Sequence, residues 1–346
     1  MKRLIISPSG NFYGSEQVLF DWLKVTSLKL DLAVPANSQF LDIIKKAGLN
    51  HKIITFNGSQ LGMFYFSIFR KLLFGHYDLI YLNEAGHIRY ISLLSSLFPG
   101  KKFIVHVRML EDVDPSRWYS RDRKNIEVLA ISKYIAAKLP VSSNLVYDSY
   151  KFQKYNIADN NLNMPELRIG IIGRITRTKG LGLLPELIHQ LKNDDPQGKY
   201  LFLLFGDISE EIKSETLLEE LKNMPGLRFM GFVESKEALF GSIDCVLHLS
   251  RQEALGRIFF EAIDFMKPLV GFKSAGIGEI GSLLNLNSLL ADPDSKDSIK
   301  ALAALFISLR LHYQEYLTEL KAIRPKAIEL FNPSGYVNLL DKKLSA

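Results

Sequence analysis

The apolar positions of this chain fall into short continuous runs that alternate with longer amphipathic segments. In the first half the runs cover residues 3–7, 30–35, 52–56, 79–82, 102–107 and 127–131, and the amphipathic segments cover residues 16–27, 38–47, 64–74, 88–97 and 133–139. The short runs predict buried strands, and the segments between them predict helices. Strands that alternate with helices are typical of βαβ units around a parallel sheet. The first half is therefore predicted to form one Rossmann-like domain.

The same alternation returns after residue 166. Strand-like runs cover residues 168–172, 200–205, 227–229, 245–249 and 269–272, and helical patterns cover residues 184–192, 210–223, 235–241, 257–266, 298–309 and 313–331. Residues 150–166 are rich in asparagine and show no period, so they predict a linker. The expected fold class is α/β, with Rossmann-like parallel-sheet domains at residues 1–150 and 151–332. A last helix at residues 333–346 is expected to pack back on the first domain.

The length of the chain agrees with a division into two domains, and its cysteine content indicates a reducing compartment. A chain of 346 residues exceeds the size at which one hydrophobic core usually stops growing. Its one cysteine, Cys245, excludes an internal disulfide and a cysteine-rich metal site, as suits a reducing compartment. The basic pair Lys2-Arg3 precedes only a short apolar run, which predicts a first strand rather than a signal peptide. No run of apolar residues has the length of a membrane-spanning helix, and we expect a cytoplasmic location.

Positive charge is concentrated in the first half of the chain. Residues 1–150 contain 19 Lys and Arg against 12 Asp and Glu, whereas the whole chain has a net charge of +6. Such an excess indicates either an anionic partner, such as a membrane surface or a polyanion, or simply a solvated basic surface. The basic residues form no patch interleaved with aromatic residues, so we expect no nucleic-acid partner.

The segment 167–180 carries the clearest chemical signal. A strand-like run ends in Gly173-Arg174, and Lys179-Gly180 follows before a helix. In open α/β sheets, ligands bind beyond the carboxyl ends of strands, where fixed positive charge favours phosphate. The alternative is a surface loop with scattered cations. A dinucleotide fingerprint requires a glycine where Thr176 stands, and the phosphate-loop signature Gly-Lys-Ser/Thr is absent from the sequence.

A second candidate segment spans residues 250–262. Glu253 follows the strand at residues 245–249, and Gly256 with Arg257 opens a helix whose backbone N–H groups can hold a phosphate. Glu261 lies in an otherwise apolar helix, so it is expected to be partly buried and to need a donor. Glu253 and Glu261 could accept hydrogen bonds from sugar and ribose hydroxyls. Alternatively, Glu253 caps a helix and Glu261 pairs with a lysine.

In their order along the chain, these motifs resemble those of the retaining glycosyltransferases of family 4, the glycosyl transferases group 1. The matching motifs are Gly173-Arg174, Lys179-Gly180, Gly231-Phe232-Val233, Glu253 with Gly256 and Glu261, Lys267-Pro268 and the segment 275–280, which is interpreted as a loop. The resemblance implies the GT-B fold, with two Rossmann-like domains facing a central cleft and the nucleotide-sugar donor held by the second.

The resemblance also implies roles for individual residues. Arg174 and Lys179 would hold the donor diphosphate as catalytic cations, with Glu253 on the transferred sugar and Glu261 on the ribose. Phe232 and Val233 would lie beside the base. The remaining donor-binding positions implied are Gly14, Gly173, Gly256, Arg257, Ile258, Gly276 and Glu279.

Two positions in the first domain also resemble the family pattern. Gly14 ends a loop between the first strand and the first helix, where glycine allows close approach to a substrate. His106 ends a strand, and the resemblance places it near the reacting sugar, although the sequence alone favours a structural histidine. Arg108 stands near the position where the family often has an acid, which suggests an acidic or phosphorylated acceptor.

Residues 61–74 form an aromatic-rich segment with one basic pair, Arg70-Lys71. Members of the family often act on lipid-linked acceptors at membranes, and a basic amphipathic helix suits peripheral membrane binding. A helix buried in the core of the first domain explains the segment equally well.

The expected activity is transfer of a sugar from a nucleoside diphosphate sugar to a hydroxyl of a saccharide or lipid-linked acceptor, in polysaccharide or glycolipid synthesis. The donor is a co-substrate, and no other cofactor and no metal is expected, since the cations stabilise the departing diphosphate. The resemblance implies retention of configuration, with the leaving phosphate oxygen taking the acceptor proton. The alternatives are a nucleotide-sugar epimerase and a non-catalytic nucleotide-sugar-binding partner of a polysaccharide assembly.

Overall fold

The structure is a computed structural model that describes residues 1–118, 124–153, 166–212 and 216–345. Most of the predicted linker at residues 150–166 lies outside the described residues. The chain divides into two compact units, the first comprising Met1–Lys151 with Phe331–Ala346 and the second Phe152–Leu330. Each unit is an α/β domain built on a parallel sheet.

The sheet of the first unit contains seven parallel strands among the described residues, in the order β3-β2-β1-β4-β5-β6-β7. The strands are β1 (Arg3–Ile6), β2 (Leu30–Pro35), β3 (Lys52–Phe56), β4 (Leu79–Leu82), β5 (Lys102–Val107), β6 (Ile126–Ala130) and β7 (Asn144–Leu145). The order reverses between β1 and β4, which are hydrogen-bonded neighbours. In sheets of this kind, the carboxyl ends of the two strands at the reversal are where ligands bind.

Amphipathic helices cover this sheet and bury its apolar side chains. They are α1 (Gly14–Leu23), α2 (Gln39–Lys46), α3 (Leu61–Leu73), α4 (Ile88–Leu97) and α5 (Lys133–Lys138). Trp22, Phe40 and Tyr81 are among the largest fully buried side chains of the core. Strands β4 and β5 have the bounds that their apolar runs predicted, because both of their faces are covered and the runs are uninterrupted.

The last helix, α13 (Pro333–Ser345), belongs to the first unit although it ends the chain. Asp341 Oδ1 accepts hydrogen bonds from Trp22 Nε1 and Thr26 Oγ1, both at 2.8 Å. Leu340 and Leu344 pack into the same hydrophobic core as the helices that cover the first sheet. This burial fixes the end of the chain to α1.

The sheet of the second unit contains six parallel strands among the described residues, in the order β10-β9-β8-β11-β12-β13. They are β8 (Leu167–Ile172), β9 (Tyr200–Phe205), β10 (Leu227–Gly231), β11 (Cys245–His248), β12 (Leu269–Phe272) and β13 (Leu290–Ala291). The helices are α6 (Leu184–Asp194), α7 (Thr216–Lys222), α8 (Lys236–Gly241), α9 (Arg257–Asp264), α10 (Ala275–Leu284), α11 (Ser298–Leu311) and α12 (Tyr313–Phe331). Here the order reverses between β8 and β11.

One segment of the second unit differs from its predicted structure. Residues 275–280 are predicted as a loop, but they form the first turns of helix α10. Their glycines lower helix propensity, yet a Cβ at Gly276 would lie 2.5 Å from the Leu255 Cα, and one at Gly278 would lie 2.9 Å from the Lys273 carbonyl carbon. The glycines are therefore needed for close packing, and this tertiary packing overrides the local propensity.

Within the described parts of both units, the longest apolar helices fall short of what is required to cross a lipid bilayer.

Candidate active site

The two candidate segments of the second unit follow the adjacent strands β8 and β11, at the reversal of strand order. After β8 the chain turns at Gly173, whose φ of 124° is strained for any residue with a side chain. The Ile175 N–H then donates to the Asp207 carbonyl at 2.9 Å, which joins this turn to the loop after β9. A short 3₁₀ segment, Arg177–Lys179, follows.

Gly180 brings Lys179 to the end of strand β11. Its φ is +73°, and a Cβ at this position would lie 2.4 Å from the Leu249 carbonyl oxygen. Only glycine therefore permits the turn to approach the backbone that follows β11 so closely. In the Lys179-Gly180 pair, the glycine therefore has a structural role, and Lys179 supplies the charged group.

Lys179, Glu253 and His248 form the polar centre of this edge. Lys179 Nζ lies 2.9 Å from Glu253 Oε2, and His248 Nε2 lies 3.7 Å from the same carboxylate oxygen. The side chains of Lys179 and Glu253 are 29% and 26% exposed, whereas His248 is buried. The ion pair is thus open to solvent, and the imidazole lies beneath it.

The electrostatics of the three groups follow from this arrangement. Partial burial favours the protonated form of Glu253, but the nearby Lys179 charge outweighs it and holds the pKa of Glu253 below its ordinary value. Burial lowers the pKa of His248 to about 4, although the Glu253 carboxylate opposes the shift. At neutral pH His248 is therefore uncharged beside an ionised lysine–glutamate pair.

Arg174 lies close to this centre. A small cavity at the end of β8 is lined by residues of the first candidate segment and of the end of β11, including Gly173, Arg174, Lys179 and His248. Arg174 is exposed to solvent, as a cation that meets a phosphate must be. The structure thus places Arg174, Lys179 and Glu253 at one edge of the second sheet.

Two glycines hold the starts of α9 and α10 together. Gly256 is the N-cap of α9 with a φ of 82°, and a Cβ there would lie 2.3 Å from the Ile277 Cδ1. The Gly276 N–H donates to the Glu253 carbonyl at 2.9 Å. The predicted donor-binding residues Gly256 and Gly276 therefore set the backbone that carries Glu253.

Glu261 pairs with a lysine in this structure. Lys236 Nζ lies 2.5 Å from Glu261 Oε1, and the two side chains are 51% and 18% exposed. The alternative that Glu261 pairs with a lysine is thus realised, and the expected partial burial is present. Because Lys236 is half exposed, the ion pair is weak and leaves Glu261 available for exchange of partners.

The other predicted donor-binding residues of the second unit lie after β10 and on helices α9 and α10. Phe232 and Val233 follow the edge strand β10, and Phe232 is 72% exposed, which is unusual for a phenylalanine. Arg257 and Ile258 are in the first turn of α9, and Glu279 is on α10, all half-buried.

In the first unit, His106 is fully buried near the end of β5. Its Nδ1 lies 3.0 Å from the Tyr81 hydroxyl and 3.0 Å from Arg108 Nη2. Burial and the Arg108 charge hold the pKa of His106 well below its ordinary range. These contacts favour the structural interpretation of His106, and its role near a reacting sugar stays a prediction. Gly14 begins helix α1 and is half-buried.

Arg108 does not face solvent, contrary to the expectation that it meets an acidic acceptor. It is 5% exposed, and its Nη2 lies 3.1 Å from Asp148 Oδ1 and donates to the Tyr336 hydroxyl at 2.8 Å. Its charge is therefore compensated inside the unit, and Arg108 links β5 to helix α13.

His248 was not among the residues singled out from the sequence. The available signal was its place at the end of strand β11, five residues before Glu253. Among the described residues, no three His, Cys, Asp or Glu side chains are grouped so that they could hold a metal ion.

Comparison with known proteins agrees with this architecture. Residues 152–321 match the family described as glycosyl transferases group 1. HepE from Anabaena, solved with UDP and glucose, superposes with a TM-score of 0.77 at 19% identity, covering 100% of this chain and 99% of HepE. A glycosyltransferase from Rickettsia africae superposes with a TM-score of 0.70 at 15% identity, covering 99% of this chain and 97% of the Rickettsia protein. The lipopolysaccharide outer core galactosyltransferase WaaB superposes with a TM-score of 0.67 at 14% identity, covering 99% of each chain.

At these identities the superpositions show the fold, and the predicted GT-B fold class is confirmed. The comparison with curated proteins gives no significant match. Most of the second unit, residues 152–321, thus matches the glycosyl transferases group 1 family. Its assignment to family 4 within that group stays a prediction.

Proposed function

We propose that this protein is a retaining glycosyltransferase that moves a sugar from a nucleoside diphosphate sugar to a hydroxyl acceptor. The observation that carries the proposal is the 2.9 Å pair of Lys179 and Glu253 across the strand reversal of a glycosyl transferases group 1 domain. A cation for phosphate and a carboxylate for sugar hydroxyls stand there side by side. HepE, which shares the fold, was solved with UDP and with glucose.

Donor binding exchanges the partners of this pair. The diphosphate accepts hydrogen bonds from Lys179 and Arg174, and the sugar hydroxyls donate to the Glu253 carboxylate. Lys179 thus exchanges the Glu253 carboxylate for the charged diphosphate, and Glu253 exchanges Lys179 for neutral hydroxyl donors, so neither is left unpaired. Glu261 exchanges Lys236 for the ribose hydroxyls, and the exposed Phe232 ring stacks on the base.

Charge stabilisation supplies the catalysis in this proposal. As the bond from the sugar to the diphosphate breaks, negative charge grows on the leaving phosphate, and Lys179 and Arg174 already point positive charge to that place. The leaving phosphate oxygen takes the proton of the acceptor hydroxyl, on the face from which it departs, so configuration is retained. The cations perform this task without a metal ion.

A thermal-shift screen tests the donor class first. UDP, GDP, ADP, dTDP and their sugars are added to the full chain, and we expect one base to raise the melting temperature, because a ligand at about 100 times its Kd stabilises the folded state by about 2.7 kcal/mol. Lys179→Ala is expected to lose the shift. Lys222→Ala, an exposed lysine of the same unit that pairs with Glu219, should keep it. No response to any nucleotide would contradict the proposal.

A second assay separates transfer from the alternatives. A transferase consumes its donor rapidly only when an acceptor is present, whereas an epimerase converts the donor without one. A non-catalytic binding partner shows the thermal shift and no consumption under either condition.

We further propose that the first unit binds an anionic membrane surface from the cytoplasmic side, where it meets a lipid-linked or saccharide acceptor. Helix α3 buries Tyr65, Ile68 and Leu72. Its opposite face exposes Met63, Phe66 and Leu73 by 62%, 62% and 60%, and the adjoining Phe74 by 68%. The core interpretation of residues 61–74 therefore holds for one face of the helix, and the exposed face is the one that we propose to contact the membrane. WaaB, which shares the fold, acts on the lipopolysaccharide outer core.

Co-sedimentation with vesicles tests this part of the proposal. The double variant Phe66→Ser/Phe74→Ser is expected to bind vesicles containing phosphatidylglycerol at least about tenfold more weakly, since each exposed phenylalanine would bury apolar surface worth about 1.5–3 kcal/mol. Val25→Ser, which changes a residue of the same unit that is also 62% exposed, should bind like the wild type. Equal binding to neutral and anionic vesicles, or none, would refute membrane association through this face.

A further inference from the structure

Two buried glutamates meet at the strand reversal of the first unit, away from the donor site in the second. Glu16 lies in the first turn of α1, which follows β1, and Glu84 follows the neighbouring strand β4. The two residues are 1% and 7% exposed. Ligands of parallel α/β sheets bind at the carboxyl ends of the two strands beside such a reversal. The loop that ends at Gly14 lies there, because it connects β1 to α1.

Ser15 joins the two carboxyl groups. Its hydroxyl oxygen lies 3.1 Å from Glu16 Oε2 and also makes a short hydrogen bond with Glu84 Oε1. A serine hydroxyl has one proton, so it can donate to only one of the two carboxyl oxygens. The other contact is a hydrogen bond only when that carboxyl group is protonated and donates to Ser15.

The remaining contacts decide which glutamate holds that proton. The Tyr13 N–H donates to Glu16 Oε2 at 3.1 Å, so this oxygen accepts from both Tyr13 and Ser15, as an ionised carboxylate does. Glu84 is then the acid. The chain of donors runs from Glu84 to Ser15 to the Glu16 carboxylate, with Tyr13 donating from the other side.

The surrounding charges are consistent with this assignment. The charged groups that face Glu84 are Glu16 from α1, Arg108 after β5 and Asp112 from the segment that follows. Burial and the Glu16 charge raise the pKa of Glu84 to about 7, while the Ser15 hydrogen bond and the Arg108 charge only partly oppose this rise. The Arg108 charge is shared with Asp148 at 3.1 Å, while Arg108 Nη1 donates to the Ser15 carbonyl at 3.1 Å.

We propose that Glu84 is a positioning residue for sugar transfer: in its protonated form it fixes Ser15 and Glu16, and through them the loop that ends at Gly14. The effect of Glu84 on catalysis rests on the proposed function, whereas the assignment of the proton to Glu84 does not. When Glu84 ionises, two carboxylates face one hydroxyl, one hydrogen bond is lost, and like charges repel. The first turn of α1 then opens.

Hydrogen exchange measured against pH tests the proton directly. In the full wild-type chain, backbone amides of residues 13–18, corrected for their intrinsic rates, should be at least about tenfold less protected at pH 8.5 than at pH 6. Glu84→Gln keeps a neutral donor and should be protected at both pH values. Ser15→Ala breaks the chain of donors and should be weakly protected at both.

Asp78→Asn is the control, because Asp78 precedes β4, at the end of the strand opposite to Glu84, and pairs with Lys101 at 3.0 Å; this variant should keep the pH dependence of the wild type. Protection that does not change with pH in the wild type, or that changes equally in Glu84→Gln, would overturn the proposal.

Activity provides the second readout. With the donor identified by the thermal-shift screen, kcat/KM of the wild type should fall as pH rises through about 7, whereas that of Glu84→Gln should not. If Glu84 had only a structural role, Glu84→Gln would lower activity, but its kcat/KM would still fall as pH rises through about 7. If the wild type consumes no donor at any pH, the proposed function fails, and the exchange experiment still decides the assignment of the proton.

Discussion

Sugar transfer is expected to fall by about two to three orders of magnitude when Lys179 is replaced with alanine. The reason is geometric, since Gly180 holds the lysine against the end of β11, where its charge would meet the leaving diphosphate under the proposed function. Lys179 Nζ lies 2.9 Å from Glu253 Oε2. The measurement is kcat for donor consumption in the presence of acceptor, with near-ultraviolet circular dichroism to show that the fold is intact.

The same loss is expected for Arg174→Ala, because the exposed guanidinium lines the same small cavity. Lys222→Ala removes a lysine of equal charge from helix α7 and should leave kcat unchanged. Lys179→Ala also removes the charge that lowers the pKa of Glu253, so that pKa should rise in the variant. Wild-type rates in both Arg174→Ala and Lys179→Ala would show that the transfer chemistry is assigned to the wrong residues.

The parallel strands were the most predictable part of the fold. Strands β2, β4, β5 and β9 have their predicted bounds, because each is an apolar run enclosed on both faces and followed by a turn signal. The ends of amphipathic helices were less accurate. Helix α1 begins at Gly14 rather than at residue 16, since Glu16 accepts from the Tyr13 N–H and thereby extends the helix toward its N-terminus.

Helix α10 shows why local propensity misled. Three glycines in its first seven residues are typical of a loop, yet they stand where a Cβ would meet the backbone of Leu255 or Lys273 or the side chain of Leu290. Leu255 precedes Gly276 by 21 residues, and its close contact with this glycine cannot be anticipated without the fold.

The candidate site was predictable in its residues but not in its pairing. Motif order singled out Lys179, Glu253 and Glu261, but Lys179 and Glu253 stand 74 positions apart and the sequence contains no signal that the two meet. Their contact depends on β8 and β11 being neighbours in the sheet. For the same reason the sequence could not show that Arg108 turns inward to Asp148 and Tyr336, 228 residues away in the case of Tyr336.

The second large effect concerns acid stability through His248. Burial lowers its folded-state pKa to about 4, whereas an unfolded histidine titrates near 6.5. Below about pH 6.5 the unfolded state therefore binds a proton that the folded state does not, so this group lowers the free energy of unfolding as pH falls. Between pH 7.5 and pH 5 the loss from His248 should be about 2 kcal/mol.

Glu84 contributes with the opposite sign, because its folded-state pKa of about 7 lies above that of an unfolded glutamate. The stability that it supplies is present at low pH and is lost as pH rises toward 7. The pH dependence of the wild type alone therefore mixes both groups, and the effect of His248 must be measured as a difference between variants.

Urea unfolding of His248→Gln and the wild type from pH 7.5 to pH 5 isolates that difference. Whatever packing the substitution costs at pH 7.5, the variant should gain about 2 kcal/mol relative to the wild type by pH 5. His189→Gln, which removes an exposed histidine of the same unit, controls for the loss of a histidine as such. Parallel curves for His248→Gln and the wild type would mean that the buried imidazole titrates in the folded state with the pKa of an unfolded histidine. Curves that separate as expected show that it is neutral at pH 7, and that it adds no charge to the Lys179–Glu253 pair when the donor diphosphate arrives.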